Sequence, residues 1–190
     1  MPPANCWGKA VASWSKIARI IRVPLGFAFA VLYIWLAKPT RTSIALGVGV
    51  AFPGLLARAW ASGHVEKNEQ LAISGPYAHT RNPLYLGSLI LGAGFALAAR
   101  SWWIAVVIVV FFVAIYVPVI RAEEKFLRSR FREFEDYASH VPSLFPRLSR
   151  FGETSRAFSW DLYRKHREYN ALLGALVVIA GLVAKWIWMR

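Results

Sequence analysis

Arg81, Asn82 and Pro83 follow one another directly, and in that order they suggest an anion site. Asn is a favoured helix cap and Pro a favoured first helical residue. The tripeptide therefore predicts a helix that starts at Pro83, with its free N–H groups beside Arg81. A guanidinium next to the positive end of a helix suits a carboxylate or a phosphate. Tyr77 and Tyr85 flank the spot and offer ring faces to a base or a cation. A second reading needs no ligand: Arg81 snorkels to lipid phosphate, and the two tyrosines belong to an interfacial aromatic belt.

Glu123 and Glu124 form an adjacent pair of carboxylates. A helix running from the preceding apolar segment to about Ser139 would align Phe126, Leu127, Phe131, Phe134, Tyr137 and Ala138 in one stripe. On that wheel Glu123 lies about 20° from the stripe centre and Glu124 about 80° away. Glu124 is then expected to pair with Arg128 at i+4 on the exposed side. Glu123 is expected to face apolar neighbours, where a lone carboxylate is costly. Arg81, a cationic ligand, or an ordinary salt bridge within or between helices would compensate it. Val141-Pro142 and Pro146 end the helix.

Other chemistry is poorly supplied. The chain has one cysteine, Cys6, which excludes an intramolecular disulfide and a thiolate metal cluster. His64, His79, His140 and His166 lack metal-ligand spacing, so no protein-held metal is expected.

These residues occupy two hydrophilic stretches, 61–82 and 121–170, and the rest of the chain must hold them. Of its 190 residues 57% are apolar and nine are Trp, more apolar surface than a soluble domain of this size can hide. Five apolar runs reach or approach the roughly 20 residues a spanning helix needs: Ile20–Ala37, Thr42–Trp60, Pro83–Ala99, Trp102–Ile120 and Ala171–Trp188. Pro53 should kink the second. A signal peptide is the rival reading of the first, but Leu36-Ala37-Lys38-Pro39 is a poor cleavage context. Arg100-Ser101 alone joins the third and fourth, so these form a hairpin. The expected fold is all-α, a polytopic membrane protein of about five spans, with a cytoplasmic amphipathic helix extending the fourth. Phe158 to Tyr169 is expected to be an interfacial helix leading into the last span.

Orientation follows from the basic residues. With the N-terminus inside, the outer face keeps only Lys38, Arg41, Arg100, Lys185 and Arg190 of the 23 Lys and Arg. The positive-inside rule therefore predicts a cytoplasmic N-terminus, an outer C-terminus and both hydrophilic stretches in the cytoplasm. The net charge of +13 then suits the anionic inner face of the membrane, and no nucleic-acid partner is expected.

The residues singled out also carry a resemblance. Gly75-Pro76-Tyr77, Arg81-Asn82-Pro83-Leu84-Tyr85-Leu86-Gly87 opening a span, a two-span hairpin, Glu123-Glu124-Lys125-Phe126-Leu127, Tyr137 and Val141-Pro142 occur in one order. That order resembles the isoprenylcysteine carboxyl methyltransferase and phospholipid methyltransferase family, in a bacterial- or archaeal-type member. The similarity covers residues 63–146 of a single domain spanning 1–190. The interfacial segment and last span, 147–190, lie outside that core. The family's usual His is Asn82 here, its Gly after Phe131 is Arg132, and its first Tyr is Phe134.

The resemblance implies an S-adenosylmethionine-dependent methyltransferase without a soluble nucleotide-binding domain and without a metal. It implies cofactor contacts at Leu71, Ala72, Tyr77, Arg81, Asn82, Pro83, Leu84, Tyr85 and one of Glu123 or Glu124, and a substrate-orienting catalytic role for Arg121. The implied acceptor is lipid-like or prenylated, drawn from among the membrane lipids. An isoprenylcysteine-type carboxylate comes first and a phospholipid amine second. A nicotinamide-dependent membrane reductase of related fold and a non-catalytic membrane scaffold remain as rivals. Gly92-Ala93-Gly94, inside a span, is expected to serve helix packing.

Overall fold

The computed structural model describes residues 29–66, 70–152 and 157–189, and every regular element among them is helical. Helix α1 covers residues 29–36. It is followed by α2 (Arg41–Ser62), a 3-10 turn (Gly75–Ala78) and α3 (Pro83–Ala99). Next come α4, a continuous helix over Trp102–Arg130, then α5 (Phe134–His140), α6 (Trp160–Lys165) and α7 (Tyr169–Trp188). Residues 20–28 of the expected first span, the N-terminal arm with Cys6, Lys9, Lys16, Arg19 and Arg22, and also Lys67, Arg156 and Arg190, lie outside the described residues.

Three of these helices, α2, α4 and α7, are long and apolar enough to cross a bilayer, and α3 is an apolar helix of 17 residues. The protein is thus an all-helical membrane protein. Apolar side chains such as Trp102, Trp103, Val177 and Leu173 face outward, as lipid contact requires.

Local chemistry sets the ends of these elements. Thr40 caps α2 in a reciprocal box with Ser43: Ser43 N–H donates to Thr40 Oγ1 at 3.2 Å, and Thr40 N–H to Ser43 Oγ at 2.9 Å. Arg100 takes the left-handed conformation (φ 49°) that turns the chain from α3 into α4. Lys185 of α7 donates to the last carbonyls of α1, Ile34 O at 2.7 Å and Trp35 O at 2.8 Å. Lys38 N–H donates to Ala99 O at 2.8 Å. The far ends of α1, α3 and α7 therefore meet.

Glycines bring α2 and α3 together. A Cβ on Gly54 would lie 2.7 Å from Gly87 O, and one on Gly94 would lie 2.6 Å from Gly47 O. The four glycines recur at seven-residue spacing on both helices, so the backbones approach closely and gain dispersion contact that lipid cannot outcompete. Gly92 faces Ile108 of α4 instead. The packing role expected of Gly92 and Gly94 is what the structure shows.

Helix α4 departs from simple α geometry at a π turn, Phe112–Tyr116. Pro118 explains it: proline lacks an N–H and its ring crowds the carbonyl four residues back, so the helix widens just before it.

One expectation fails. The helix after the fourth span does not run to Ser139; it stops at Arg130, and Phe131 is extended (φ −121°, ψ 122°). The chain turns and α5 restarts at Phe134. The reason is burial. Phe134, Tyr137 and Val141 are all but inaccessible and pack with Leu71, Ile73, Leu127 and Phe151. A straight helix would have carried these aromatic rings past the bundle into water, forfeiting roughly 2 kcal/mol for each.

Candidate functional site

The head of α3 is where the chain's polar chemistry collects. The 3-10 turn delivers Tyr77, the extended residues 79–82 follow it, and Pro83 starts the helix. Gly75 permits the turn, because its φ of 58° is strained for any side chain and the His64 ring sits 2.4 Å from where a Cβ would be.

Asn82 occupies the cap position of α3, but its side chain does not cap the helix. Its backbone carbonyl instead accepts from Leu86 N–H at 3.0 Å. The side-chain amide donates to Ser143 O at 2.9 Å, to Ser143 Oγ at 3.2 Å and to Glu124 Oε1 at 3.3 Å. Ser143 Oγ donates to the same carboxylate oxygen at 2.8 Å. Arg81 Nε lies 3.4 Å from Glu124 Oε1.

Neither carboxylate takes the role expected of it. Glu124, not Glu123, turns inward to Arg81, and Arg128 pairs with Glu135 at 2.5 Å. Glu123 is exposed on α4, and its charge lies near the Tyr85 hydroxyl. The expected roles came from a stripe that included residues beyond the break at Phe131, and that stripe does not exist as one face. Both carboxylates still converge on the start of α3, from adjacent positions of α4.

Tyr77 and Tyr137 build the floor. The Tyr137 hydroxyl donates to Tyr77 O at 2.7 Å. Burial pushes the Tyr77 hydroxyl well above its ordinary pKa, and Tyr137 and Glu123 nearby add to the effect. Burial likewise raises Tyr137, with the Arg81 charge opposing. Both phenols are neutral throughout the physiological range. Tyr85 packs edge-on against Tyr116, ring centroids 5.3 Å apart, and Tyr116 stacks on Phe112 at 5.0 Å. The π turn of α4 thus sets an aromatic group against the first turn of α3.

A water-accessible cleft of about 480 Å³ opens beside this cluster, lined by Gln70, Leu71, Ile73, Phe131, Tyr137 and Phe151, with Glu133 and Asp136 at its rim. Tyr137 joins the two regions, since its ring lines the cleft and its hydroxyl is bonded to Tyr77. Of the residues expected to contact a cofactor, Leu71 lines the cleft. Ala72 is half-buried beside it, and Tyr77, Arg81, Asn82, Pro83, Leu84, Tyr85, Glu123 and Glu124 stand at the head of α3. Arg121 is exposed on α4, three residues before Glu124, and no hydrogen bond or ion pair joins it to the cluster among the described residues.

Two parts of the site escaped sequence reasoning. Ser143 had no signal beyond lying between two prolines. Arg58 of α2 is the other: its guanidinium grips Glu168 through Nη2 at 2.9 and 2.8 Å and through Nε at 3.2 Å. It also donates to Ser88 Oγ of α3. Both partners are largely buried. A lone Arg near the end of a span was the available clue.

A family model of phospholipid methyltransferases (PEMT) matches residues 21–133, more than half of the chain. The chain belongs to the phospholipid methyltransferase family. The matched stretch includes Leu71, the head of α3, and Glu123 and Glu124, while Tyr137, Ser143 and Glu168 lie beyond it. Among curated proteins, the cobalt-zinc-cadmium resistance protein CzcN of Cupriavidus metallidurans is 37% identical over 124 residues. The nickel-cobalt-cadmium resistance protein NccN of Alcaligenes xylosoxydans xylosoxydans is 34% identical over 123 residues. Each alignment covers 64% of this chain and 56% of the relative, so the chain spans about half the length of the curated relatives it matches. No solved structure matches.

Proposed function

We propose that this member of the phospholipid methyltransferase family is an S-adenosylmethionine-dependent methyltransferase that modifies a lipid-like acceptor at the cytoplasmic face. The observation that carries this reading is Arg81. Its Nε is buried without a hydrogen-bond partner among the described residues, at the positive end of an apolar helix and beside a carboxylate. A buried donor left unpaired is costly, and an anionic ligand group at this point would relieve it.

The residues present fit the cofactor's parts. Arg81 and the positive end of α3 suit its carboxylate. Glu123 and Glu124 suit its amino group or its ribose hydroxyls, and the cleft at Leu71 and Ala72 suits the flat purine. Tyr77 and Tyr85 offer rings to a sulfonium. When bound, S-adenosylmethionine supplies a methyl group already activated by that sulfonium. The protein then has little to contribute beyond holding the two reactants in line and keeping water out.

An acceptor carboxylate is favoured over an amine. A carboxylate is ionised and needs no base, whereas an ammonium must first lose its proton. The position the family usually fills with His is Asn82, which cannot accept a proton at neutral pH. His79 turns its Nδ1 to Arg147 O at 3.0 Å and His140 is exposed with its Nδ1 at Asp136 O, 2.9 Å away, and no hydrogen bond joins either ring to Asn82, Glu123 or Glu124 among the described residues. Arg121, exposed one turn before Glu124, would orient such a carboxylate on a prenylcysteine-type acceptor. The family's own description favours the second reading, a phosphatidylethanolamine-type amine.

The test is methyl transfer from labelled S-adenosylmethionine by the protein in lipid nanodiscs, with a prenylcysteine analogue and phosphatidylethanolamine as parallel acceptors. Label on the prenylcysteine, released by mild base as an ester would be, supports the carboxylate reading. Label on the phospholipid alone selects the amine. Binding of NADPH in place of S-adenosylhomocysteine would turn the assignment toward a reductase.

A further inference from the structure

Residues 142–151 form a strap bound along residues 78–82. Arg81 N–H donates to Pro142 O at 3.0 Å, Arg147 N–H to His79 O at 2.9 Å, and Phe151 N–H to Ala78 O at 3.1 Å. Thr80 Oγ1 donates to Leu144 O at 3.0 Å, and Asn82 holds Ser143. The strap's own Arg147 Nη1 donates to His140 O at 2.6 Å, and its Nε to Ser149 Oγ at 2.8 Å. The backbone is fixed, yet two large apolar side chains point away from the protein. Phe145 is 75% exposed and Leu148 is 102% exposed. A rigid segment that holds a Phe and a Leu in the open has an apolar environment to meet.

Position identifies that environment. The strap is tied to the residues immediately before Pro83, where an apolar helix begins, so it lies level with the end of that helix. There the bilayer's headgroup layer is the nearest apolar-to-polar boundary. Arg147 and Arg150 interleave with Phe145 and Leu148; basic and bulky apolar residues in alternation suit an anionic interface. We propose that Phe145 and Leu148 insert into the headgroup region of an anionic bilayer, so that the membrane itself seats the strap whose Ser143 holds Asn82 and Glu124. The inference rests on the membrane placement of α3 and not on methyl-transfer chemistry, so either can fail alone.

The test uses the full chain with Cys6→Ser, carrying a single Leu148→Cys or Phe145→Cys labelled with an environment-sensitive fluorophore. Ser129→Cys, exposed on the polar extension of α4, is the reference. The protein is placed in nanodiscs of phosphatidylcholine and phosphatidylglycerol, one chain per disc. Labels at 148 and 145 should be quenched by shallow spin-labelled lipid about threefold more than the label at 129, and by aqueous iodide about threefold less. Equal iodide quenching at all three positions, with no effect of spin-labelled lipid, overturns the proposal. Shielding that appears only in discs loaded with two chains also overturns it, and assigns the patch to a second copy. The unlabelled Phe145→Ser/Leu148→Ser protein provides a readout free of the fluorophore. It should lose the thermal stabilisation that phosphatidylglycerol gives over pure phosphatidylcholine, and an unchanged lipid dependence counts against insertion.

Discussion

Arg81 Nε lies 3.4 Å from Glu124 Oε1, yet the nitrogen is buried and donates no hydrogen bond among the described residues. The two charges attract across that gap, but the N–H is not aimed at the oxygen. Glu124 spends its inward oxygen on Ser143 and Asn82 instead. The guanidinium is therefore neutralised without being saturated, a state suited to receiving an anion with little rearrangement.

Helix contact at the glycine seam should be sensitive to single methyl groups. In Gly54→Ala the new Cβ meets the backbone of Gly87 and Leu91 at 2.7 Å, which cannot yield as a flexible side chain would. A loss of about 1–3 kcal/mol is expected, read as a lowered midpoint of thermal unfolding in detergent. Gly49→Ala on the same helix meets nothing within 4 Å and should leave the midpoint unchanged or slightly higher, since Ala favours helix.

The Arg58–Glu168 pair fastens the entry of α7 to α2 and α3. Removing one partner leaves the other largely buried and unpaired. Arg58→Met or Glu168→Met alone should each lower stability by roughly 2 kcal/mol. The double variant should lose less than the sum, because no charge is stranded. A double-mutant cycle on unfolding midpoints checks this, and additive losses would mean the pair is not coupled.

Tyr137 should make the protein sensitive to alkali. Its folded pKa is raised by burial, so above about pH 10, the ordinary value for tyrosine, the unfolded chain loses this proton before the folded one does. Stability contributed by the neutral phenol is present below that pH and declines as pH rises beyond it. Tyr137→Phe should lower stability by about 1 kcal/mol at pH 7, through the lost hydrogen bond to Tyr77 O. It should also flatten part of the decline between pH 10 and 11. An identical pH profile in the variant would contradict the assignment.

The hairpin was the most legible part of the sequence. Asn82-Pro83 and Arg100-Ser101 bound α3 where the structure places it, because proline and the short link leave few alternatives. The expected Thr42–Trp60 and Ala171–Trp188 differ from α2 and α7 by two residues or fewer at each end. The break at Phe131 was not legible. Nothing in Arg130-Phe131-Arg132 forbids helix, and only the tertiary burial of Phe134 and Tyr137 bends the chain there. The inward turn of Glu124 in place of Glu123 follows from that, since a wheel drawn through the break averages two helices. Asn82 was correctly located and wrongly employed: the cap position was legible, but Ser143, 61 residues away, was not.

Calorimetry with S-adenosylhomocysteine on detergent-solubilised protein tests the central claim most directly, using the native chain, Arg81→Ala and Glu124→Gln. The native protein should bind. Arg81→Ala should weaken binding by about tenfold or more, the loss expected for a charge-assisted contact. Glu124→Gln should weaken it less, because the amide keeps an oxygen for Ser143 and Asn82. Absence of binding to the native protein, or an affinity unchanged by Arg81→Ala, would contradict a cofactor site at the head of α3.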